Sequence, residues 1–174
     1  PAVLAQLPIL AERMVPQVLS NCLSALIFLQ DPLPELVKPV LLTEDGRRGF
    51  VLLAASRLRE MLPSMTSTAD LHIAVPTVVW ACARLGVQHD LLLAVAEHLG
   101  SKSKVSRLPD WGLCALAWSF QVLEPEELTD FEELLLTEIN KRGFTDEKVE
   151  RSQLGSWEWH QSEESEESEE SEES

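Results

Sequence analysis

No tyrosine occurs among the 174 residues and only seven are glycine. None of those glycines falls in a phosphate-cradling loop, so the nucleotide-binding motifs built on such loops are excluded. Uninterrupted apolar runs stay below the roughly 18 residues that a bilayer span needs, and a membrane partner is therefore not expected. Cysteine is sparse and odd in number: Cys22, Cys82 and Cys114 are widely spaced and set among Leu, Ala and Val. That setting predicts packing as small apolar side chains in a reducing compartment, with no disulfide framework. His72, His89, His98 and His160 show no metal-ligand spacing, and neither His-Glu-x-x-His nor Cys-x-x-Cys occurs. The neighbours His89-Asp90 and Glu97-His98 point apart on a helix. A nucleophile, a base and oxyanion donors cannot be assembled from these residues. The sequence predicts no enzyme, no metal and no cofactor. Its first residue, Pro1, reads as the start of an internal or processed segment, which leaves targeting open.

Positive charge is lacking in only one part of the chain. Residues 1–108 hold ten Lys/Arg against nine Asp/Glu, whereas residues 109–161 hold four against twelve. Residues 162–174 repeat Ser-Glu-Glu and add eight Glu with no base, completing the net charge of −15. This tail has no apolar side chain to offset the entropy of ordering, and it is expected to be disordered. Phosphorylation, or competition with nucleic acid for a basic face, are functional uses open to such an arm.

What the chain does have is internal repetition. Val75-Pro76-Thr77-Val78-Val79-Trp80-Ala81-Cys82-Ala83-Arg84-Leu85 is echoed by Leu113-Cys114-Ala115-Leu116-Ala117-Trp118-Ser119-Phe120-Gln121-Val122-Leu123, with Trp118 in the place of Trp80. An aliphatic residue five before the Trp, a small one after it and Leu five beyond recur at a period of about 38 residues, which marks a stacked supersecondary unit. Weaker copies lie at Leu19 to Leu29, with Ser24 in the Trp position, and at Leu154-Gly155-Ser156-Trp157-Glu158-Trp159. The anchors stand near positions 24, 80, 118 and 159, and the first interval is the longest, which places an insertion in 30–70. Residues 1–161 then form one helical-repeat domain, with Trp80, Leu85, Trp118, Leu123 and Trp159 as structural anchors.

Apolar residues recur at three and four, and Leu and Ala outnumber β-branched pairs, so the elements read as helices. Helices are predicted over 2–13, 16–29, 33–42, 48–62, 71–85, 89–99, 110–123, 126–142 and 146–159. Asp70 and Asp110 mark starts, Glu126 and Glu127 place anions at another, and Gly86, Gly100 and Gly143 mark ends. The Trp-bearing helices are apolar over most of their circumference, as befits elements sandwiched between a partner helix and the next unit. The predicted fold is all-α, an α-solenoid of antiparallel helix pairs with an extended concave surface.

The string Thr77-Val78-Val79-Trp80-Ala81-Cys82-Ala83-Arg84-Leu85-Gly86 resembles the Leu-Trp-Ala-Leu-Ala-Lys/Arg-Leu-Gly core of the octotricopeptide repeats and the related heptatricopeptide repeats of organellar proteins. Leu116-Ala117-Trp118-Ser119-Phe120 is similar to their Leu-Ala-Trp-Ala-Phe variant. The match is good over residues 71–142, weak over 15–29 and 145–160, and nearly absent over 30–70. The resemblance implies helix pairs of this period that bind single-stranded RNA in a mitochondrion or plastid, in transcript stability, processing, translation or ribosome assembly; DNA is not an expected partner. Many such proteins also carry a RAP domain, which nothing in this sequence resembles.

Given that resemblance, equivalent turns of successive first helices would form a ladder reading unstacked bases. The residues three before each anchor are Asn21, Thr77, Ala115 and Ser156, and Arg84 shares a helix face with Thr77. With the cations Lys102, Lys104 and Arg107, the residues Asn21, Thr77 and Arg84 make up the expected RNA-contacting set. The alternative is a protein-interaction scaffold using the same groove, for which the acidic C-terminal third suits a basic partner protein.

Overall fold

Ten helices and no strand carry the described residues of the computed structural model, which are 2–42, 49–125 and 128–155. In chain order they are α1 (Ala2–Leu10), α2 (Pro16–Gln30), α3 (Pro34–Leu41), α4 (Phe50–Met61), α5 (Val75–Arg84), α6 (Leu91–Leu99), α7 (Lys102–Val105), α8 (Asp110–Leu123), α9 (Thr129–Lys141) and α10 (Asp146–Arg151). Tight turns of 3-10 type follow α1, α4 and α10, at Ala11–Arg13, Leu62–Ser64 and Ser152–Leu154. The stretch 30–70 houses α3 and α4. Helix α7 is absent from the sequence-based expectation, because so short an element shows no period. The last predicted helix, 146–159, stops at Arg151 and gives way to the Ser152–Leu154 turn. Trp159, Ser156 and the Ser/Glu tail lie outside the described residues.

Local chemistry accounts for the boundaries. Pro16 and Pro34 open α2 and α3 at the first helical position, where a missing N–H costs nothing. Thr145 caps α10 by accepting the Lys148 N–H at 3.2 Å. Gly86 closes α5 with φ +64°, letting Val87 N–H reach back to the Cys82 carbonyl at 2.8 Å. Just before α5 the chain winds as a π-turn, Asp70–Ala74. Pro76 explains the widening, since its ring has no N–H to donate and cannot sit over the carbonyl four residues earlier, that of His72.

The freed His72 carbonyl faces Gly112 of α8. A Cβ built on Gly112 would lie 3.0 Å from that oxygen and 3.3 Å from the Pro76 ring, so glycine is what lets the two helices approach this closely. At the other end Gln88 donates to the Leu123 carbonyl at 2.9 Å. Helices α5 and α8 are therefore parallel neighbours along their whole length. Helix α9 runs antiparallel to α8: Phe120 meets Phe131 edge-on at 5.1 Å, and Arg142 reaches Asp110 at 2.7 Å. Both α6 and α9 bury every fourth residue, Leu91, Val95 and Leu99 in one and Phe131, Leu135 and Ile139 in the other. Helices α5 and α8 thus pack side by side, each against the helix that follows it, with α2 also on α5 and α4 beside both α5 and α6.

The two indoles marking the repeat have unlike surroundings. Trp80 is 1% exposed, packed by Phe28 of α2 at 6.3 Å and edge-on by Trp111 of α8 at 6.4 Å. The chain after α10 seals it: Trp80 Nε1 donates to the Gln153 carbonyl at 3.2 Å, and a Cβ on Gly155 would lie 3.2 Å from the indole. Trp118 is only half-buried. Where α8 offers Trp111 to Trp80, the equivalent position one repeat further on is the smaller Val149 of α10, a helix that packs on α8. Of the remaining anchors, Leu123 is buried and Leu85 half-buried.

Candidate interaction surfaces

The expected RNA-contacting residues do not form one ladder. Thr77 is buried, 6% exposed, and its hydroxyl donates to the Ile73 carbonyl at 2.7 Å inside the helix. This corrects the expectation that it faces a base. Asn21 is exposed on α2, where its carboxamide oxygen accepts from Gln17 at 3.0 Å. Arg84 is exposed at the C-terminal end of α5.

Lys102, Lys104 and Arg107 gather elsewhere, on and just after α7, at the edge where α6 ends and α8 begins. All three are exposed, and none pairs with a carboxylate among the described residues. Lys104 donates to the carbonyl of His98, one of the acceptors left open at the end of α6. Arg107 lies close enough to His72 to add to the effect of burial in lowering that imidazole below its ordinary value. His72 precedes α5 by less than a turn, so the cluster and Arg84 mark opposite ends of that helix, about 18 Å apart at 1.5 Å per residue.

Beneath this edge lies a charge network that the sequence does not disclose. Glu138 is buried on α9 and accepts from Arg142 Nε at 3.1 Å and from Lys141 at 3.3 Å, while Arg142 also donates to Asp110 at 2.7 Å and to the Ser106 carbonyl at 3.1 Å. The hydrogen bond from Arg142 holds the Glu138 carboxyl below the usual carboxylate range. The guanidinium spans three elements, and no sequence periodicity announces such a junction.

At the opposite edge the connections α5–α6 and α8–α9 enclose a cleft of about 470 Å³. It continues past Glu124 and Pro125 into a depression of about 420 Å³ beside Glu132. His89 borders the cleft. Its Nδ1 accepts the Leu91 N–H at 2.9 Å, which leaves the ring proton on Nε2, 3.0 Å from the Ser56 hydroxyl of α4. Burial lowers its pKa, Asp90 pulls the other way and Arg59 adds to the lowering.

The cysteines are unbridged, and Cys82 and Cys114 are buried. Burial pushes the Cys82 thiol up to about 12 and raises Cys22, so neither is a ready thiolate at neutral pH. Among the described residues no cluster of three His, Cys, Asp or Glu is placed to hold a metal ion, and no helix is long and apolar enough to cross a membrane. Compared with family models, with curated proteins and with solved structures, the chain matches none.

Proposed function

We propose that this chain is part of an α-solenoid of the octotricopeptide type that binds single-stranded RNA in a mitochondrion or plastid, without catalysing a reaction. The parallel stacking of α5 on α8, one repeat period apart, supports the repeat reading. The observation that carries RNA binding is the exposed cluster of Lys102, Lys104 and Arg107, none paired with a carboxylate among the described residues. Cations without a carboxylate partner gain most from meeting phosphates, because counterion release from the nucleic acid supplies the binding free energy. In this arrangement the α7 edge holds the RNA backbone, with Arg84 and Asn21 as further polar contacts, and Thr77 serves the core.

Fluorescence anisotropy of labelled oligouridine against salt tests the proposal. Three phosphate contacts give a slope of log affinity on log salt of about −2. The triple variant Lys102→Glu, Lys104→Glu, Arg107→Glu is expected to weaken binding at least tenfold with helicity unchanged. Equal affinity of the variant and the wild type, or no binding by the wild type at low salt, would overturn it.

A further inference from the structure

From the cleft between the α5–α6 and α8–α9 connections, we infer a second binding site, one that takes a basic peptide segment of a partner protein carrying an apolar anchor residue. Leu92, Leu93, Pro125 and Leu128 supply the apolar half of its lining, and Leu93 is 45% exposed. An exposed leucine over a concavity of about 470 Å³ offers a partner side chain a place to leave water. The rim is of one sign. Asp90 stands at the start of α6, Glu124 at the point shared by the cleft and its neighbouring depression, and Glu132 on the far side of that depression. Among the described residues no Lys or Arg lines either hollow. The nearest described cation in an ion pair there is Arg59, 3.8 Å from Asp90 and itself half-exposed, a pairing too open to neutralise the rim. His89 brings no positive charge, because its Nδ1 is occupied as an acceptor by the Leu91 N–H.

This pattern selects among occupants. A polyanion such as RNA meets three carboxylates and is repelled, whereas an extended segment alternating Leu with Arg or Lys satisfies both apolar lining and rim. The cleft lies at the end of the helix hairpins opposite Lys102, Lys104 and Arg107. The inference therefore does not depend on the cluster of Lys102, Lys104 and Arg107, and one module can hold RNA along the α7 edge and a basic protein in the cleft.

The probe is a fluorescein-labelled octapeptide alternating leucine and arginine, titrated by anisotropy into the full chain at physiological salt. A peptide alternating serine and arginine serves as the control for charge alone. The Leu/Arg peptide is expected to bind at least tenfold more tightly than the Ser/Arg control. The variant Asp90→Asn, Glu124→Gln, Glu132→Gln keeps the Ser/Glu tail, and it is expected to weaken Leu/Arg binding at least tenfold. Leu93→Ser is expected to weaken it several-fold, with circular dichroism unchanged in both variants. Wild-type affinity in the triple variant would overturn the site, as would equal binding of the two peptides. Displacement of the peptide by oligouridine, together with loss of RNA affinity in the cleft variant, would overturn it in favour of RNA. Loss of RNA binding in Lys102→Glu, Lys104→Glu, Arg107→Glu with peptide binding intact separates the two proposals.

Discussion

Gly86 and Glu124 fall at matching positions after Trp80 and Trp118. Each stands just past the end of a Trp-bearing helix, and each is left-handed, with φ of +64° and +42°. Glycine adopts this conformation at no steric cost, whereas a side chain costs about 1 kcal/mol there. Glu124 is the one non-glycine residue with positive φ among those described, and it stands on the rim of the acidic cleft. Glu124→Gly is expected to stabilise the fold by about 1 kcal/mol and Gly86→Glu to destabilise it by a similar amount, since the space around Gly86 is open. Urea midpoints check both, and a stabilised Gly86→Glu would contradict the assignment.

Trp80 and Trp118 should respond unequally to truncation despite their matching contexts. Trp80→Ala empties a site closed by Phe28, Trp111 and Gly155 and is expected to cost about 4 kcal/mol. Trp118→Ala removes a half-buried ring and should cost about half as much or less. Chemical denaturation of the two variants measures the difference; equal losses would mean that the indoles are enclosed alike.

Acidification should weaken the fold before the carboxylates titrate. His72, His89 and His98 all sit below the ordinary imidazole value, chiefly because burial disfavours the charged ring, with Arg107, Arg59 and Lys104 adding to it and Asp90 opposing it at His89. The unfolded chain thus binds more protons below about pH 6.5, so stability is full above that value and falls as pH drops through the folded-state pKa values. Thermal melts should show a lower Tm at the acid end, and His89→Gln should reduce that difference by removing the ring that must release the Leu91 N–H on protonation. A slope unchanged in His89→Gln would show that this contact does not sense pH.

Helices are legible in the sequence wherever apolar residues recur over two turns or more and a glycine or proline punctuates the end. Pro16, Pro34, Gly86 and Gly143 supply that punctuation, and the echo of Trp80 in Trp118 pairs α5 with α8. Exposure within those helices is less legible. The pattern places Thr77 three before the indole on the same side as Arg84, but Thr77 is buried and Arg84 exposed, and helical spacing carries no information about neighbours distant in sequence. The same holds for Trp80, whose partners Phe28 and Gln153 lie far along the chain in both directions. The acidic cleft is hidden for a related reason: Asp90, Glu124 and Glu132 belong to three separate segments that only the helix packing assembles. One signal is present, namely Glu124 standing where the preceding unit has Gly86.

In a linear array of repeats each unit touches only the next, so an end can fray while the middle persists. Here Phe28 and Gly155 converge on one indole, a Cβ on the glycine coming within 3.0 Å of the phenyl ring. That convergence ties α2, α5 and the chain after α10 to one another through Trp80. Fraying from the C-terminal side strips the cover from Trp80 and loosens the grip of α2 in the same event, so the described segment should melt as a single cooperative body instead of unzipping unit by unit.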